Sequence, residues 1–469
     1  MRLLVSRAAA LSAALAAVLL VPQPASAAAQ LIGNGTFTTS TAPWAAIGQS
    51  AVTVETGKMR VEVKSVVSNP WDAMVAAPTT AALSPGQSYT LSFDAYSTVA
   101  YTARTTVQYT ATPSSNQSLA ADVRLTTASK RYSIPFVAAA GTATAAEVTF
   151  QLGGSTGKPV VRFDNVSLMQ TQTTRPTALY VNTKSNPAAW VTANPNHASK
   201  TAIQTSIASK PIFEWFGGWF PDITQAVDTY VGAAQAQDKL PMLAAYNIPH
   251  RDACATESAG GAGTAEAYAA WITEFAKAIG NRHAIVVLEP DAVAAAGCLD
   301  RDSDADTNSA AQYAILANAT QVLRTEAPNA WVYLDAGNAT WHTPAQIVPL
   351  LQQSGISNTR GFSVNVSNYL TTGVTEPWAA QVGGALAKPY VIDTSRNGNG
   401  PWSDSTPEDN WCNPPGRALG TPPVKQTSGA EYLFWVKVPG DSDGQCGIAP
   451  PNTPAGKFSP ELAMSLINS

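Results

Sequence analysis

Two carboxylates, Glu289 and Asp291, stand at the end of a short apolar run that is rich in β-branched residues. The run, Ala284 to Leu288, has the pattern of a strand that is buried on both faces. Pro290 has no backbone N–H and cannot continue a strand ladder, so the strand should end there. We therefore expect both carboxylates at the carboxyl end of a buried parallel strand, where α/β proteins place their chemistry. Partial removal from water at this position raises the pKa of a carboxyl group, so Asp291 can hold a proton and act as a general acid.

Polar and aromatic side chains also follow the other apolar runs in this part of the chain. Because the carboxyl ends of parallel strands converge on one face of a barrel, they predict a cleft lined with acids and indoles. Indole faces stack on pyranose rings and carboxylates cleave glycosidic bonds, so the pattern predicts a polysaccharide hydrolase. A single aspartate at a strand end could equally cap a helix or form an ion pair, but this pattern repeats on strand after strand. In chain order the residues are Asn182, Trp215, Trp219, Tyr246, Asp252, Glu289, Asp291, Asp335, Asn338, Trp341, Asn365, Asp393, Arg396, Lys437, Asp441 and Asp443.

Apolar runs alternate with helix-like segments from Ala178 to the end of the chain. This alternation predicts a parallel sheet with helices outside it, and seven or eight such units in about 290 residues predict a closed or nearly closed β/α barrel. The predicted strands are Leu179 to Asn182, Ile212 to Phe216, Met242 to Ile248, Ala284 to Asp291, Trp331 to Ala336, Phe362 to Asn365, Tyr390 to Asp393 and Tyr432 to Val436. The predicted helices are Ala198 to Ser209, Asp222 to Ala236, Ala265 to Ile279, Ser309 to Glu326, Pro344 to Gln353 and Trp378 to Leu386.

The preceding segment has an all-β pattern. Short alternating runs are separated by turn residues such as Ser84-Pro85-Gly86, which predicts a β-sandwich. We place this domain at residues 28–169 and the barrel at 178–469, joined by a polar linker, 170–177, that is too short to act as a long tether. The predicted strands begin at Val52, Met59, Tyr89, Thr105, Tyr132, Glu147 and Val160.

The bulk composition narrows the class of protein. The chain has 469 residues, a net charge of −4 and 13% charged residues, so we expect two domains and no binding to nucleic acid. Residues 1–27 have the pattern of a signal peptide, with Arg2 and Arg7 before an apolar run and Ala25-Ser26-Ala27 at the cleavage site. That run is too short to span a bilayer and no later stretch could do so, which predicts a secreted, extracellular protein without a membrane anchor.

Export makes disulfides possible for the four cysteines, which are Cys254, Cys298, Cys412 and Cys446. Four cysteines allow three pairings, and their spacing does not choose among them. None has CxxC spacing and only His250 lies close to a cysteine in sequence, so we expect no metal in the catalytic site and no cofactor for catalysis.

Seven motifs of the second domain resemble glycoside hydrolase family 6, the cellulases and cellobiohydrolases. They occur in the order of the family and cover essentially all of the chain from Ala178 onward. The resemblance implies a distorted parallel β/α barrel that hydrolyses β-1,4-glucosidic bonds with inversion at the anomeric carbon. The motifs are Tyr246-Asn247-Ile248-Pro249-His250-Arg251-Asp252, Leu288-Glu289-Pro290-Asp291, Tyr333-Leu334-Asp335-Ala336-Gly337, Asn365-Val366-Ser367-Asn368-Tyr369, Asp393-Thr394-Ser395-Arg396-Asn397-Gly398, Trp411-Cys412-Asn413 and Trp435-Val436-Lys437-Val438-Pro439-Gly440.

The resemblance also implies roles for single residues. Asp291 matches the proton donor, and Asp252 matches an acid that helps to keep the donor protonated, since two nearby carboxylates resist ionising together. Asp443 matches the residue often proposed as the base, with a water relay as the alternative, and Asp335 matches an acid of the substrate site. The implied substrate-binding residues are Trp215, Tyr246, Ser258, Trp341, Asn365, Arg396, Trp411, Lys437 and Asp441. The implied disulfides, which would hold the loops of Asp252 and Asp443, are Cys254–Cys298 and Cys412–Cys446.

The chain departs from the family pattern at two positions. Ala253 stands where the family commonly has cysteine, so we expect the loop of Asp252 and Ser258 to be placed differently, and Asn338 replaces a common histidine. Exo-acting members also enclose the substrate with long loops, one of them after the region of Asp443. Here only Gly444 to Lys457 separates that region from the last helix, which favours an open cleft and internal cutting.

The first domain resembles the jelly-roll carbohydrate-binding modules of families 4 and 9. The resemblance implies a cleft in which aromatic rings stack on sugars and polar side chains bond the hydroxyl groups. It also implies a structural calcium ion with Asp164 as one ligand. Trp71 and Tyr101 could instead be ordinary residues of the sandwich. The motifs are Asn34-Gly35-Thr36-Phe37, Asn69-Pro70-Trp71-Asp72, Gln151-Leu152-Gly153-Gly154 and Asp164-Asn165-Val166-Ser167-Leu168, and the candidate glucan-binding residues are Trp71, Tyr101, Arg104, Gln108 and Gln151.

The sequence thus predicts a secreted endo-β-1,4-glucanase that acts as a monomer on cellulose or a related β-glucan. A cellobiohydrolase is the first alternative. A non-catalytic glucan-binding protein on a decayed barrel is the second, although all the matched carboxylates are present.

Overall fold

The structure is a computed structural model that describes residues 30–110, 117–139, 146–171, 174–255, 257–301, 308–403 and 410–469. The predicted signal peptide lies outside the described residues. Within them, strands and one short 3₁₀ turn, Pro70–Asp72, form the first part of the chain, two helices follow, and strands alternate with helices from Glu214 onward. The part of the chain that the structure describes has no helix long and apolar enough to cross a bilayer.

The first domain consists of two five-stranded antiparallel sheets, ordered β1-β4-β9-β6-β7 and β2-β3-β10-β5-β8. Their inner faces share one core, in which Phe93, Phe150 and Phe163 pack ring against ring. The predicted β-sandwich is therefore confirmed, although β1, β4 and β7 were not predicted from the sequence. The strands are β1 Ala45–Gly48, β2 Ser50–Glu55, β3 Lys58–Val63, β4 Ala73–Pro78, β5 Ser88–Ser97, β6 Tyr101–Tyr109, β7 Gln117–Leu125, β8 Lys130–Val137, β9 Ala146–Gln151 and β10 Val160–Gln170.

The second domain is built on an eight-stranded sheet, ordered β11-β12-β13-β14-β15-β16-β18-β17. All neighbouring pairs are parallel except β17 with β18. The sheet curls around an inner core that includes Phe213, Val287 and Phe434. Its strands are β11 Glu214–Phe216, β12 Met242–Ala245, β13 Ala284–Leu288, β14 Ala330–Asp335, β15 Gly361–Val364, β16 Tyr390–Asp393, β17 Val424–Lys425 and β18 Tyr432–Phe434.

The sheet is a curled half-barrel, which corrects the prediction of a closed or nearly closed barrel. In the described residues its edge strands, β11 and β17, do not pair with each other. The predicted first strand, Leu179 to Asn182, is also wrong, because it makes only an isolated bridge from Leu179 to Leu240. The side chain of Asn182 accepts a hydrogen bond from the Lys184 N–H at 2.9 Å, and this local turn leads the chain away from the sheet.

Helices cover the outer face of the half-barrel and bury apolar side chains such as Ile272, Phe275 and Leu316 against it. The predicted bounds of α4, α5 and α6 agree with the structure. Helix α1 was not predicted, and α7 begins at Thr372, six residues before the predicted start. The helices are α1 Asn186–Ala193, α2 Lys200–Ile203 with a π-helical turn Gln204–Ala208 after it, α3 Ile223–Gln235, α4 Ala265–Ile279, α5 Ser309–Glu326, α6 Pro344–Gln353, α7 Thr372–Leu386 and α8 Pro460–Ile467.

The two domains touch. The sheet of β5, β8 and β10 rests on α3 and α4, and Arg131 of β8 forms a buried ion pair with Asp228 of α3. On the linker, Arg175 donates to the carbonyls of Ala284 and Asn329 at 3.3 and 2.5 Å. These contacts fix the sandwich on the side of the half-barrel.

Candidate active site

Sharp turns follow the strands at the carboxyl end of the half-barrel. Strand β13 ends at Leu288, two residues before Pro290 and three before the predicted strand bound at Asp291, and the backbone then takes left-handed conformations at Glu289 (φ 48°) and Asp291 (φ 70°). Asp252, on the loop after β12, has φ 61°. Non-glycine residues hold this conformation only where the surroundings impose it, and such residues cluster at functional sites. The turns direct the carboxylates of neighbouring strands toward one another.

Asp291 lies among acidic neighbours. Its N–H donates to Asp335 Oδ1 at 2.9 Å, and within the described residues its own buried Oδ1 has no hydrogen-bond partner. Burial raises the pKa of Asp291 well above its ordinary value, and the nearby charges of Asp335 and Asp252 raise it further, against an opposing effect of Lys437. The raised pKa favours the protonated form of Asp291, which is the form that a general acid requires.

The loop after β12 holds Asp252 by side-chain contacts. Asp252 Oδ2 accepts hydrogen bonds from the Ser258 N–H at 2.9 Å and the Ser258 hydroxyl at 3.0 Å. The same hydroxyl lies 3.2 Å from the Tyr246 hydroxyl, and the Arg251 guanidinium lies over the Tyr246 ring. Tyr246, Ser258 and Asp252 thus form one connected group, in which Ser258 orients the carboxylate.

Asp335, at the end of β14, has no exposed surface. Besides the N–H of Asp291, it accepts hydrogen bonds from the Gly337 N–H at 2.9 Å and the Ser363 hydroxyl at 2.8 Å. Burial raises the pKa of Asp335 to about 7. This carboxylate is held against the backbone of Asp291, and its role as an acid of the substrate site stays a prediction.

Asp443 is clamped by cations. Arg396 Nη1 lies 2.7 Å from its Oδ2, and Lys437 Nζ lies 3.0 Å from its Oδ1. The Asn413 N–H and the Tyr369 hydroxyl donate to Oδ2 at 3.1 and 3.2 Å. Burial acts to raise the pKa of Asp443, but Arg396 and Lys437 hold it far below its ordinary value. The lowered pKa favours the ionised form of Asp443 and gives this carboxylate a low proton affinity.

Asp441 lies close to the same lysine and behaves differently. Its Oδ2 accepts a hydrogen bond from Asn186 Nδ2 at 2.8 Å, and its buried Oδ1 has no partner in the described part of the chain. Burial raises the pKa of Asp441 to about 7, despite the charge of Lys437. Lys437 donates to the Ser442 carbonyl at 3.1 Å, so it is positioned by the loop that bears both aspartates.

The predicted sugar platforms differ in exposure. Trp341 is 43% exposed, Trp411 is partly buried, and Trp219, beyond β11, is 49% exposed. Trp215 is partly buried, because its Nε1–H donates to the Val436 carbonyl at 2.7 Å and its ring packs edge-on against Tyr246. Exposed indole faces remain available for stacking at Trp341 and Trp219.

Two of the predicted substrate-binding residues are buried and bond protein groups, and their contact with substrate stays a prediction. Asn365 has no exposed surface, and its side-chain amide donates to the carbonyls of Leu370 and Asp393. Arg396 is 3% exposed and bonds Asp443 and the Ser367 carbonyl. Both residues support the loops of the site. Asn413 and Tyr369 were not predicted to contact Asp443, and their only sequence signal is their place inside the matched motifs.

The disulfides Cys254–Cys298 and Cys412–Cys446 are both present, as the family resemblance implied. The first joins the loop of Asp252 to the segment after Asp291. The second joins the loop of Asp443 to the segment that contains Asn413, whose side-chain oxygen accepts from the Asp443 N–H at 3.0 Å. Each disulfide therefore secures a different acidic loop.

The first domain has a polar face on the outer side of the β4-β9-β6 sheet. Gln108 donates to Glu147 at 2.9 Å, and Gln151 donates to the Thr149 hydroxyl at 3.3 Å while its buried Oε1 has no partner among the described residues. Arg104 lies opposite Gln151 in the strand register. This face carries three of the five predicted glucan-binding residues.

Tyr101 is buried in the sandwich, whereas Trp71 is exposed on its surface. Tyr101 lies in the core between the sheets, in the same strand phase as Ala103 and Val107, so its prediction as a sugar-binding residue is wrong. Its phase on β6 differs from that of Arg104, and side chains alternate across a strand. Trp71 is 54% exposed on a short 3₁₀ turn, Pro70–Asp72, and its ring is available to a ligand.

The surroundings of Asp164 do not fit a calcium ion. Its Oδ2 forms an ion pair with Lys58 at 2.9 Å, and its Oδ1 accepts from the Asn165 N–H. The described residues contain no group of three or more metal-binding side chains, whereas calcium takes six to eight oxygen ligands. The prediction of calcium at Asp164 therefore has no support from the geometry.

Comparison with known proteins places these observations in a family. The profile described as glycosyl hydrolases family 6 matches residues 174–469, and the profile described as a carbohydrate binding domain matches residues 29–159. The chain belongs to glycosyl hydrolases family 6. The family profile covers all the acidic residues of the candidate active site, and the second profile covers both sheets of the sandwich up to the start of β10.

Relatives of the family 6 domain include proteins named as endoglucanases. Endoglucanase 1 of Streptomyces halstedii is 44% identical over 301 residues, which cover 63% of this chain and 90% of that protein. Endoglucanase 1 of Streptomyces sp. (strain KSM-9) is 39% identical over 287 residues, or 59% and 75% of the two chains. The solved structure of the endoglucanase Cel6 from Mycobacterium tuberculosis is 37% identical, with a TM-score of 0.56, and covers 62% of this chain and 98% of that one.

Proposed function

We propose that the protein is a secreted endo-β-1,4-glucanase that hydrolyses cellulose or a related β-glucan with inversion of the anomeric configuration. The observation that carries the proposal is the environment of Asp291, whose carboxyl group is kept protonated by burial and by the charges of Asp335 and Asp252. The similarity to several endoglucanases supports the substrate class.

In the proposed reaction Asp291 supplies a proton to the glycosidic oxygen. As that O–H bond forms, the C1–O bond breaks and its electron pair passes to the leaving oxygen. A water molecule attacks C1 from the opposite face and loses a proton, so that the product carries the inverted configuration. The resulting Asp291 carboxylate then regains a proton from solvent. Asp252 raises the proton affinity of Asp291 throughout, and Asp335 fixes its backbone.

The low pKa of Asp443 argues against direct removal of the water proton by this residue. A carboxylate held by Arg396 and Lys437 is a weak base, although its charge can stabilise the positive charge that develops on the sugar ring. We therefore assign Asp443 an electrostatic role and place the proton transfer on a chain of water molecules. Tyr246, Ser258, Lys437 and Asp441 would bind sugar hydroxyls, and Trp215, Trp341 and Trp411 would line the sugar path.

Internal cutting is favoured over an exo-acting mode by the short connection after Asp443. Only Gly444 to Lys457 separates that residue from the segment before α8, and the segment returns to Asp441 through a bridge with Phe458. A connection of this length cannot enclose a long stretch of glucan. A cellobiohydrolase remains the second candidate for this family 6 domain.

The first domain is proposed to bind glucan on the polar outer face that carries Arg104, Gln108 and Gln151, with Trp71 at its border. A jelly-roll topology for the sandwich, the domain bounds 28–169 and 178–469, export through residues 1–27 and a monomeric state complete the proposal. A glucan on this face would lie on the sheet opposite the one that contacts the half-barrel.

The proposal is tested with Asp291→Asn on carboxymethyl-cellulose, with Asp300→Asn as the control, because Asp300 is exposed and accepts a hydrogen bond from the Ser309 N–H at the start of α5. We expect the first variant to lose at least about a hundredfold in kcat, the usual contribution of a general acid, and the second to keep wild-type activity. Full activity of Asp291→Asn would remove Asp291 from the mechanism. NMR of the first-formed anomer tests inversion, and retention would contradict it.

A further inference from the structure

Glu289 is completely buried at the end of β13 and collects three donors on its carboxylate. The Asn247 N–H lies 3.0 Å from both of its oxygens, the Ile248 N–H lies 3.1 Å from Oε2, and the Tyr268 hydroxyl donates to Oε1 at 2.9 Å. Its own N–H continues the ladder by donating to the Ala245 carbonyl at 2.9 Å. Glu289 therefore joins the end of β13 to the loop that follows the neighbouring strand β12.

The loop held in this way is the one that carries Asp252. Both ends of the loop meet at residues 247 and 248, because the Ala262 N–H donates to the Asn247 carbonyl at 2.8 Å, and Gly261 packs directly on the Ile248 carbonyl. Gly261 has φ 99°, and any side chain there would collide with that carbonyl. The base of the loop is thus held both by the Glu289 carboxylate and by the close contact of its two ends.

We propose that Glu289 is a positioning residue of the reaction, which fixes the separation of the Asp252 and Asp291 carboxyl groups by binding the base of the Asp252 loop. Only Pro290 stands between Glu289 and Asp291, so the same strand end that presents the acid also holds the loop of its neighbour. The inference rests on the proposed roles of Asp291 and Asp252. It adds a residue that touches no substrate.

If Glu289 positions the Asp252 loop, its substitution should shift the basic limb of the pH–rate profile, which is the fall in activity at high pH. The charged and titratable groups that face Asp291 are Asp335 on β14, Asp252 and Tyr246 on the β12 side, and Lys437 after β18. Activity falls as the pH rises through the pKa of Asp291, because the acid loses its proton. If the Asp252 charge moves away, this pKa decreases and the basic limb moves to lower pH.

The test compares the basic limb of kcat in wild type, Glu289→Gln, Asp252→Asn and the double variant. Glutamine keeps the shape of the side chain but presents an amide N–H₂ to backbone donors, so the loop base should loosen. We expect each single variant to move the limb down by about one pH unit, the size of coupling between adjacent carboxyl groups. In the double variant the limb should lie where Asp252→Asn alone places it, because the coupling has already been removed.

The double variant also separates positioning from the ionisation of Glu289 itself, since burial raises the pKa of Glu289 to about 7. A shift caused by that ionisation would add to the shift of Asp252→Asn. The proposal is therefore overturned if the limb shift of the double variant equals the sum of the two single shifts. It is also overturned if the basic limb of Glu289→Gln lies at the wild-type pH. An unmoved limb in Asp252→Asn would instead refute the role of Asp252 within the proposed function, and the positioning role with it.

Tyr268→Phe provides a second variant if Glu289→Gln does not fold. It removes one donor from Glu289 and should move the limb in the same direction by a smaller amount. Its matched control is Tyr230→Phe, which also removes a buried hydroxyl, 3.0 Å from the Met242 carbonyl at the start of β12. The control should lose stability without moving the limb. Equal limbs in the two tyrosine variants would contradict the proposal.

Discussion

Arg131 of the sandwich and Asp228 of the half-barrel form a buried bidentate pair across the domain interface. Arg131 Nη2 and Nε lie 2.7 and 2.9 Å from Asp228 Oδ2. Arg282 reaches Oδ1 at 2.8 Å, and Ser92 and Ser133 donate to the same oxygen at 3.0 and 3.1 Å. Asp228 lies on α3, whereas three of these four partners, Arg131, Ser92 and Ser133, belong to the other domain. The sandwich therefore satisfies a charge of the hydrolase domain.

The first prediction concerns the stability of the two domains as one unit. Arg131→Met should lower the free energy of unfolding by roughly 3–5 kcal/mol, because breaking a buried ion pair leaves Asp228 with less compensation for its burial. The measurement is chemical denaturation followed by both fluorescence and far-UV circular dichroism.

The control is Arg124→Met, since Arg124 is exposed on β7 and its removal should change stability by less than about 0.5 kcal/mol. Wild type should show one cooperative transition. Separate transitions for the two domains in wild type, or equal stability of the two arginine variants, would contradict a cooperative interface.

The second prediction is a pH dependence of stability that originates at Asp441. Burial raises the pKa of Asp441 to about 7 in the folded protein, from 3.8. Below 3.8 both the folded and the unfolded states are protonated; between 3.8 and 7 only the unfolded state has released its proton, so stability falls as the pH rises through this window. Asp441→Asn imitates the protonated side chain and should remove a loss of at most about 4 kcal/mol. Unfolding by urea at several pH values between 4.5 and 7.5 measures it.

Asp300→Asn is the control for this experiment, because Asp300 is exposed and hydrogen bonds from Ser309 hold its pKa below the ordinary value, so it is ionised in both states throughout the measured window. That variant should keep the wild-type slope in the measured window. A wild-type slope in Asp441→Asn would show that another buried acid produces the pH dependence.

The third prediction separates the two glucan-binding surfaces by their exposed tryptophans. Trp341→Ala should lower kcat/KM on soluble cello-oligosaccharides by about tenfold, the loss of one stacking contact, and leave binding to insoluble cellulose nearly unchanged. Trp71→Ala should instead weaken binding to insoluble cellulose and leave kcat/KM on soluble cello-oligosaccharides nearly unchanged. Kinetics on soluble substrate and a depletion assay on insoluble cellulose measure both. If the two variants affect the same assay, the surfaces do not have separate roles.

Local pattern predicted a large part of this fold. The bounds of α4, α5 and α6 follow from apolar period and capping residues such as Thr264, whose hydroxyl accepts from the Ala267 N–H. The end of β13 follows from Pro290. These features depend on residues close in sequence, so they are visible without the tertiary structure. Helix α1 was missed because only part of one face, including Ala188 and Val191, is buried.

The solvent exposure of each site residue could not be predicted from local sequence pattern. Asp335 and Asn365 have no exposed surface because neighbouring strands and loops cover them, and those contacts join residues far apart in sequence. The buried partners of Asp228 are distant for the same reason. Tyr101 is different, because its strand phase was readable from the sequence: it alternates with Arg104 and Gln108 and shares its phase with Val107.

The fourth prediction assigns each disulfide to a different acidic residue. Removing Cys254–Cys298 by the double serine variant should loosen the Asp252 loop and move the basic limb of the pH–rate profile to lower pH, because the charge of Asp252 raises the pKa of Asp291. Removing Cys412–Cys446 should instead lower kcat at all pH values without moving the limb, because Asn413 then no longer fixes Asp443. Each variant should lose about 2–4 kcal/mol of stability. The assays are therefore run well below the unfolding temperature of the less stable variant. Limb shifts of equal size in both variants would show that the two loops do not act on separate carboxylates.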